Sequence, residues 1–225
     1  MDVYLVPVAV DRYELYCEEQ EELPSEQAAP EGLVRRTVHR FRTTVAEAER
    51  AREQEPAADA PPKKFTARVK ARVLRYVAET IAEQRLLWHL RGRLEACLVY
   101  PHDLTEPQAR ELLRRQLNRD FERHRFWLAI DSLGLVGSAI LALLPGPNLI
   151  AYYFLFRIVG HFLSVRGARQ GLVKCQWAPQ PTAALTALRT LFDVPPADRT
   201  ERVREIASTL GLERFPAFFD RTAIH

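Results

Sequence analysis

Asp131, Arg157 and His161 are the residues whose types and spacing could do chemistry in this chain. Apart from tyrosines, they are the only ionisable side chains in two otherwise apolar segments, 126–144 and 149–165. Arg157 and His161 are four residues apart, so on a helix they share a face with Tyr153 and Ser164. If the chain folds back at Pro145-Gly146-Pro147-Asn148, Asp131 comes level with His161 and Arg157 lies one turn nearer the bend. A carboxylate beside an imidazole can pass a proton, and a guanidinium next to both holds the carboxylate ionised. Two roles follow for the cluster of Asp131, Tyr153, Arg157 and His161. One is a proton or cation relay between Asp131 and His161. The other, which is preferred, is a structural salt bridge that locks the two helices together.

The elements that must position these groups are two helices joined by that four-residue turn. Phe126–Leu144 and Leu149–Val165 comprise 19 and 17 residues, which as helices span roughly 28 and 25 Å, close to the thickness of a bilayer core. Arg114, Arg115, Arg119, Arg123 and Arg125 precede the first segment, and Arg166, Arg169 and Lys174 follow the second. With a neutral bend between basic flanks, the pattern predicts a hairpin inserted in a membrane with both termini on the inner side. Trp127, Tyr152 and Tyr153 fall where interfacial aromatics belong, and Gly134, Ser138 and Ala142 repeat at the small-residue spacing that lets helices approach closely. The competing expectation is a buried hairpin in an all-α domain, or one packed on an identical subunit. Two helices of one chain enclose no ion path. Membrane lipid is therefore the first expected partner, and a homo-oligomer or a larger membrane protein the second.

The remaining chain predicts a soluble scaffold around this hairpin. Residues 3–8, 12–18 and 94–100 read as short strands, the second alternating Tyr13, Leu15 and Cys17 with Glu14, Tyr16 and Glu18. Between them, Val34, Val38, Phe41 and Val45, then Phe65, Val69, Val73 and Ile81, recur at helical spacing and are separated by Pro61-Pro62. Thr105 with Gln108 forms a capping-box signature that opens a long helix. Leu185, Leu188 and Phe192 mark a helix near the C-terminus, and Asp198 with Glu201 opens another that ends at Gly211. The expected fold class is mainly α with a small antiparallel β element. Its expected parts are an α+β region over 1–104, a long helix leading into the hairpin over 105–170, and a small helical region over 171–225.

Composition narrows the function classes. The chain has 225 residues, 47% hydrophobic and 27% charged, with a formal net charge of +3. A mean hydropathy of −0.22 excludes a transporter of many spans. Residues 1–30 are acidic and 31–125 basic, but glutamates interleave the arginines, so a solvated polar face is preferred over a surface for anionic lipid or nucleic acid. Cys17, Cys97 and Cys175 fit no metal or disulfide spacing and suggest reduced thiols. The opening Met1-Asp2-Val3-Tyr4 lacks a basic leader. No phosphate-binding, nucleophile-elbow or zinc motif is present. Pro101-His102-Asp103-Leu104 reads as a local cap, and His39, His89 and His124 as polar-face residues. No enzymatic activity, cofactor or metal is expected.

Several stretches together carry a family resemblance. They are Val3-Tyr4-Leu5-Val6-Pro7-Val8, Arg12-Tyr13-Glu14-Leu15-Tyr16, Tyr100-Pro101-His102-Asp103-Leu104 and Leu144-Pro145-Gly146-Pro147-Asn148, followed by Tyr152-Tyr153, Arg157 and His161. Over about the first three quarters of its length the chain resembles the mitochondrial K+–H+ exchange-related family. The resemblance implies a role in monovalent-cation homeostasis at a membrane, as a component or regulator of exchange. A membrane-tethered scaffold that binds a partner through its amphipathic helices is the alternative. The strong preference for arginine over lysine suggests a prokaryotic member at the cytoplasmic membrane, the mitochondrial inner membrane being the other location.

Overall fold

The computed structural model describes residues 1–18, 86–138 and 149–223. The amphipathic helices expected over 34–81 and the bend Pro145-Gly146-Pro147-Asn148 lie outside these residues. The described chain forms two compact units, one gathering 1–18, 86–123 and 165–223, the other 124–138 and 149–164.

The first unit is built on a four-stranded sheet. Its strands are β1 (Asp2–Ala9), β2 (Arg12–Tyr16), β3 (Glu95–Pro101) and β4 (Gln176–Thr182), in the spatial order β2-β1-β3-β4. β1 and β2 pair antiparallel around Val10-Asp11, with a register shift between Pro7 and Ala9. β1 then pairs parallel with β3, and β3 parallel with β4. This overturns the expectation of a mainly α chain with a small antiparallel element: the architecture is mixed, and two of the three strand interfaces are parallel.

β4 carries no strand signature of its own, because Pro179 and Pro181 interrupt Gln176–Thr182. Within a strand the backbone groups alternate sides. The Gln176 N–H donates to the Leu94 carbonyl and the Thr182 carbonyl accepts from the His102 N–H, so the even positions face β3. Both prolines therefore fall on the open side of an edge strand, where a missing N–H costs no ladder bond.

Side-chain alternation gives the sheet two buried faces. Val3, Leu5, Ala96, Leu98 and Tyr100 point into one layer with Ala109, Leu113 and Leu117. Those last three recur every four residues along α1 (Glu106–Ser138), so one stripe of that helix covers the sheet. Residues 86–90, helical as well, and Ala168 of α2 (Leu149–Val173) close the same layer. Gly167 is obligatory there, because a Cβ would stand 1.6 Å from the Leu87 carbonyl oxygen.

The opposite face carries Tyr4, Val6, Val8 and Val99. It is covered by α3 (Ala183–Ala187), a 3-10 turn (Leu188–Leu191), α4 (Pro196–Leu210) and α5 (Phe215–Thr222). With layers on both sides, β1 is buried continuously from Val3 to Val8, the pattern of a strand inside a covered parallel sheet. Gly211 ends α4 with φ of 69°, a left-handed cap suited to glycine.

The second unit comprises the distal part of α1 and the proximal part of α2, packed antiparallel. A Cβ on Gly134 would lie 2.5 Å from the Phe154 ring, so the small residue sets the close approach. Among the described residues no helix is long and apolar enough to cross a membrane, which overturns the predicted inserted hairpin. The apolar segments are interrupted by Asp131 in one helix and by Arg157 and His161 in the other. These polar groups face the helix partner, while Phe126, Ile130, Leu133 and Val136 are exposed.

Candidate functional site

Packing α1 against α2 converges side chains that lie two turns apart on each helix. Asp131 is 3% exposed and cannot reach water for solvation. Its carboxylate instead accepts from the Arg157 Nε, at 3.0 Å from both Oδ1 and Oδ2. Arg157 Nη1 donates to the Tyr153 hydroxyl at 3.2 Å. The guanidinium also lies over the rings of Trp127 and Tyr153, at 5.4 and 5.6 Å, a favourable place for a cation. Burial works against the charge on Arg157, but the hydrogen bonds to Asp131 and Tyr153 outweigh it and hold its pKa above the usual value.

His161 approaches from the following turn of α2, its Nε2 at 3.3 Å from Asp131 Oδ2. Asp131, Tyr153, Arg157 and His161 thus meet in one cluster. Beyond them the structure adds a fifth member. His124 is 8% exposed, and its Nδ1 lies 2.8 Å from the Nδ1 of His161.

Sequence reading placed His124 on a polar face and missed it. The signal was available: His124 is seven residues before Asp131, hence on the same face of α1, as His161 is four after Arg157 on α2.

The geometry restricts the protons. With its hydrogen on Nε2, His161 faces the accepting Asp131 carboxylate at 3.3 Å. When both rings are neutral, Nδ1 of His161 is therefore bare and accepts from Nδ1–H of His124. When His161 gains a proton, its Nδ1–H must donate to a bare Nδ1 on His124, whose hydrogen then sits on Nε2. One extra proton fits by exchanging donor and acceptor. A second would set N–H against N–H at 2.8 Å. In this arrangement the pair has room for one added proton, beside a buried carboxylate that accepts from Arg157.

The Pro101-His102-Asp103-Leu104 turn lies elsewhere, at the carboxyl end of β3. The His102 backbone N–H donates to Thr186 Oγ1 at 2.8 Å, and Asp103 Oδ2 is 2.8 Å from Arg189 Nε. Arg189 also contacts the Tyr13 hydroxyl and the Val10 carbonyl. The turn therefore ties β3 to the β1–β2 connection and to the 3-10 turn, while the His102 ring stays exposed. Among the described residues no three histidine, cysteine or carboxylate side chains converge as a metal site.

No curated protein and no solved structure shows significant similarity to the chain. A family model described as mitochondrial K+-H+ exchange-related matches residues 2–171. That stretch contains the sheet strands β1 to β3 and all five residues of the cluster, and it covers most of the sequence. The chain therefore belongs to the mitochondrial K+–H+ exchange-related family.

Proposed function

We propose that this protein serves K+/H+ exchange as a component or regulator, and that the buried His124–His161 pair is its proton-exchanging element. The observation that carries this reading is the 2.8 Å contact between the two Nδ1 atoms, with Asp131 on the far side of His161. Such a pair binds or releases one proton with little movement of heavy atoms. Arg157 donates to both oxygens of the neighbouring carboxylate and so fixes Asp131 beside the imidazole pair that exchanges the proton. The family's tie to K+–H+ exchange supports this assignment, and its mitochondrial link supports the inner mitochondrial membrane as the place of action.

The test is potassium-dependent swelling or flux in cells lacking the gene, followed across pH. The wild type should restore flux. Asp131→Asn and His161→Asn, expressed to the same level, should lose its pH dependence. Wild-type flux and pH dependence in both variants refute the reading.

A further inference from the structure

Among the described residues Arg199 is a buried cation with no counter-charge. It occupies the first turn of α4, is 1% exposed, and lies in the apolar layer between that helix and α5. Its guanidinium carbon stands 5.5 Å from the centre of the Phe219 ring. Neither Nε nor Nη1 has a hydrogen-bond partner, and among the described residues no carboxylate pairs with it.

An arginine stays protonated inside a protein. The effective cost of burying one ion is several kcal/mol, and a desolvated cation–π contact returns only about 2 kcal/mol. The unpartnered donor atoms Nε and Nη1 add to the deficit. A site this unbalanced calls for an anion. The amino end of a 15-residue helix adds positive potential at the same place, and helical side chains lean toward that end.

Charge and size define the ligand. A single positive charge in an apolar layer is matched by a single negative one, whereas a divalent phosphate or sulfate would leave a buried excess. Near-complete enclosure admits only a small group. We infer that Arg199 binds a small monovalent oxyanion of the carboxylate type, such as formate, acetate or hydrogencarbonate. Access comes from local opening of α5, which has only eight residues.

Thermal unfolding of the full chain in formate, against chloride at equal ionic strength, tests the assignment. At ten times the dissociation constant, formate should raise the wild-type midpoint by roughly 3–6 °C. Sulfate, which stabilises folded proteins by exclusion from their surface, should shift wild type and Arg199→Met equally, and Arg199→Met should not respond to formate beyond chloride. A formate shift in Arg199→Met equal to that of the wild type overturns the proposal. A measurement independent of the variant is broadening of the formate proton resonance by wild-type protein. Reversal of that broadening by acetate but not by sulfate supports the site. No broadening at tens of millimolar formate, or equal reversal by sulfate, refutes it.

Discussion

Breaking the Asp131–Arg157 pair from its two sides should have unequal costs, because the partners differ in burial. The Asp131 side chain is 4% exposed and that of Arg157 is 23% exposed. Unit charges about 4 Å apart attract by about 4 kcal/mol at an effective dielectric of 20, an interaction that either single substitution removes. What remains behind decides the difference. In Arg157→Met the carboxylate stays buried with His161 Nε2, at 3.3 Å, as its remaining charge-bearing neighbour among the described contacts. The cost should approach the ~3–5 kcal/mol of an orphaned buried charge.

In Asp131→Asn the guanidinium keeps the Tyr153 hydroxyl, the faces of Trp127 and Tyr153, and partial contact with solvent. That variant also removes the desolvation cost of the buried carboxylate, which offsets much of the lost attraction, and should lose about 2 kcal/mol. Urea unfolding followed by Trp127 fluorescence, with Trp88 and Trp177 replaced by Phe, reads the unit directly because Trp127 lies beneath Arg157. Equal losses, or a larger loss in Asp131→Asn, would refute the argument from burial.

Glycine positions give a second contrast. Gly167→Ala drives a Cβ into the Leu87 carbonyl and should cost more than ~3 kcal/mol, whereas Gly137→Ala, with open space around it on α1, should gain up to about 1 kcal/mol. Chemical denaturation midpoints distinguish them, and a tolerated Gly167→Ala would show the contact to be wrong. Glu18 caps α5 by accepting from the Glu213 and Arg214 N–H groups at 3.0 and 2.9 Å. Glu18→Ala should therefore cost about 1–2 kcal/mol and speed amide exchange in α5; unchanged exchange there would count against the cap. The structure should also weaken in alkali. Burial, the leading cause in each case, raises the pKa of Cys97, Cys175, Tyr4, Tyr13 and Tyr16 above the ordinary values of 9.0 and 10.0. The unfolded chain thus releases these protons first, so stability is full below about pH 8.5 and falls as pH rises through 9 and 10. A urea midpoint that is flat or rising from pH 8 to 10.5 would contradict this.

Legibility in the sequence depended on whether a feature was local. The alternation of Tyr13 and Leu15 with Glu14 gave β2, and the Leu94–Tyr100 run gave β3, because a half-buried strand writes its two faces at a period of two. The Thr105 N–H does donate to Gln108 Oε1 at 2.9 Å, the reciprocal half of the expected capping box. The cluster of Asp131, Tyr153, Arg157 and His161 was readable from helical spacing plus one assumption, the antiparallel return. His124 needed the same register carried two turns further.

By itself the sequence determined the positions of β1, β2, β3 and the opening of α1, and which ionisable residues interrupt the apolar segments, since periodicity and charge are properties of neighbours along the chain. Tertiary structure alone decided three things. Parallel pairing of β1 with β3 and of β3 with β4 joins segments far apart along the chain, and nothing in a strand's own pattern names its partner. The prolines of β4 are harmless only because the open edge of the sheet lies on their side. The polar residues of α1 and α2 form one buried cluster rather than scattered polar positions because two helices meet with His124 and His161 face to face. Such a cluster is made by distance in space, and a one-dimensional spacing fixes only half of that distance.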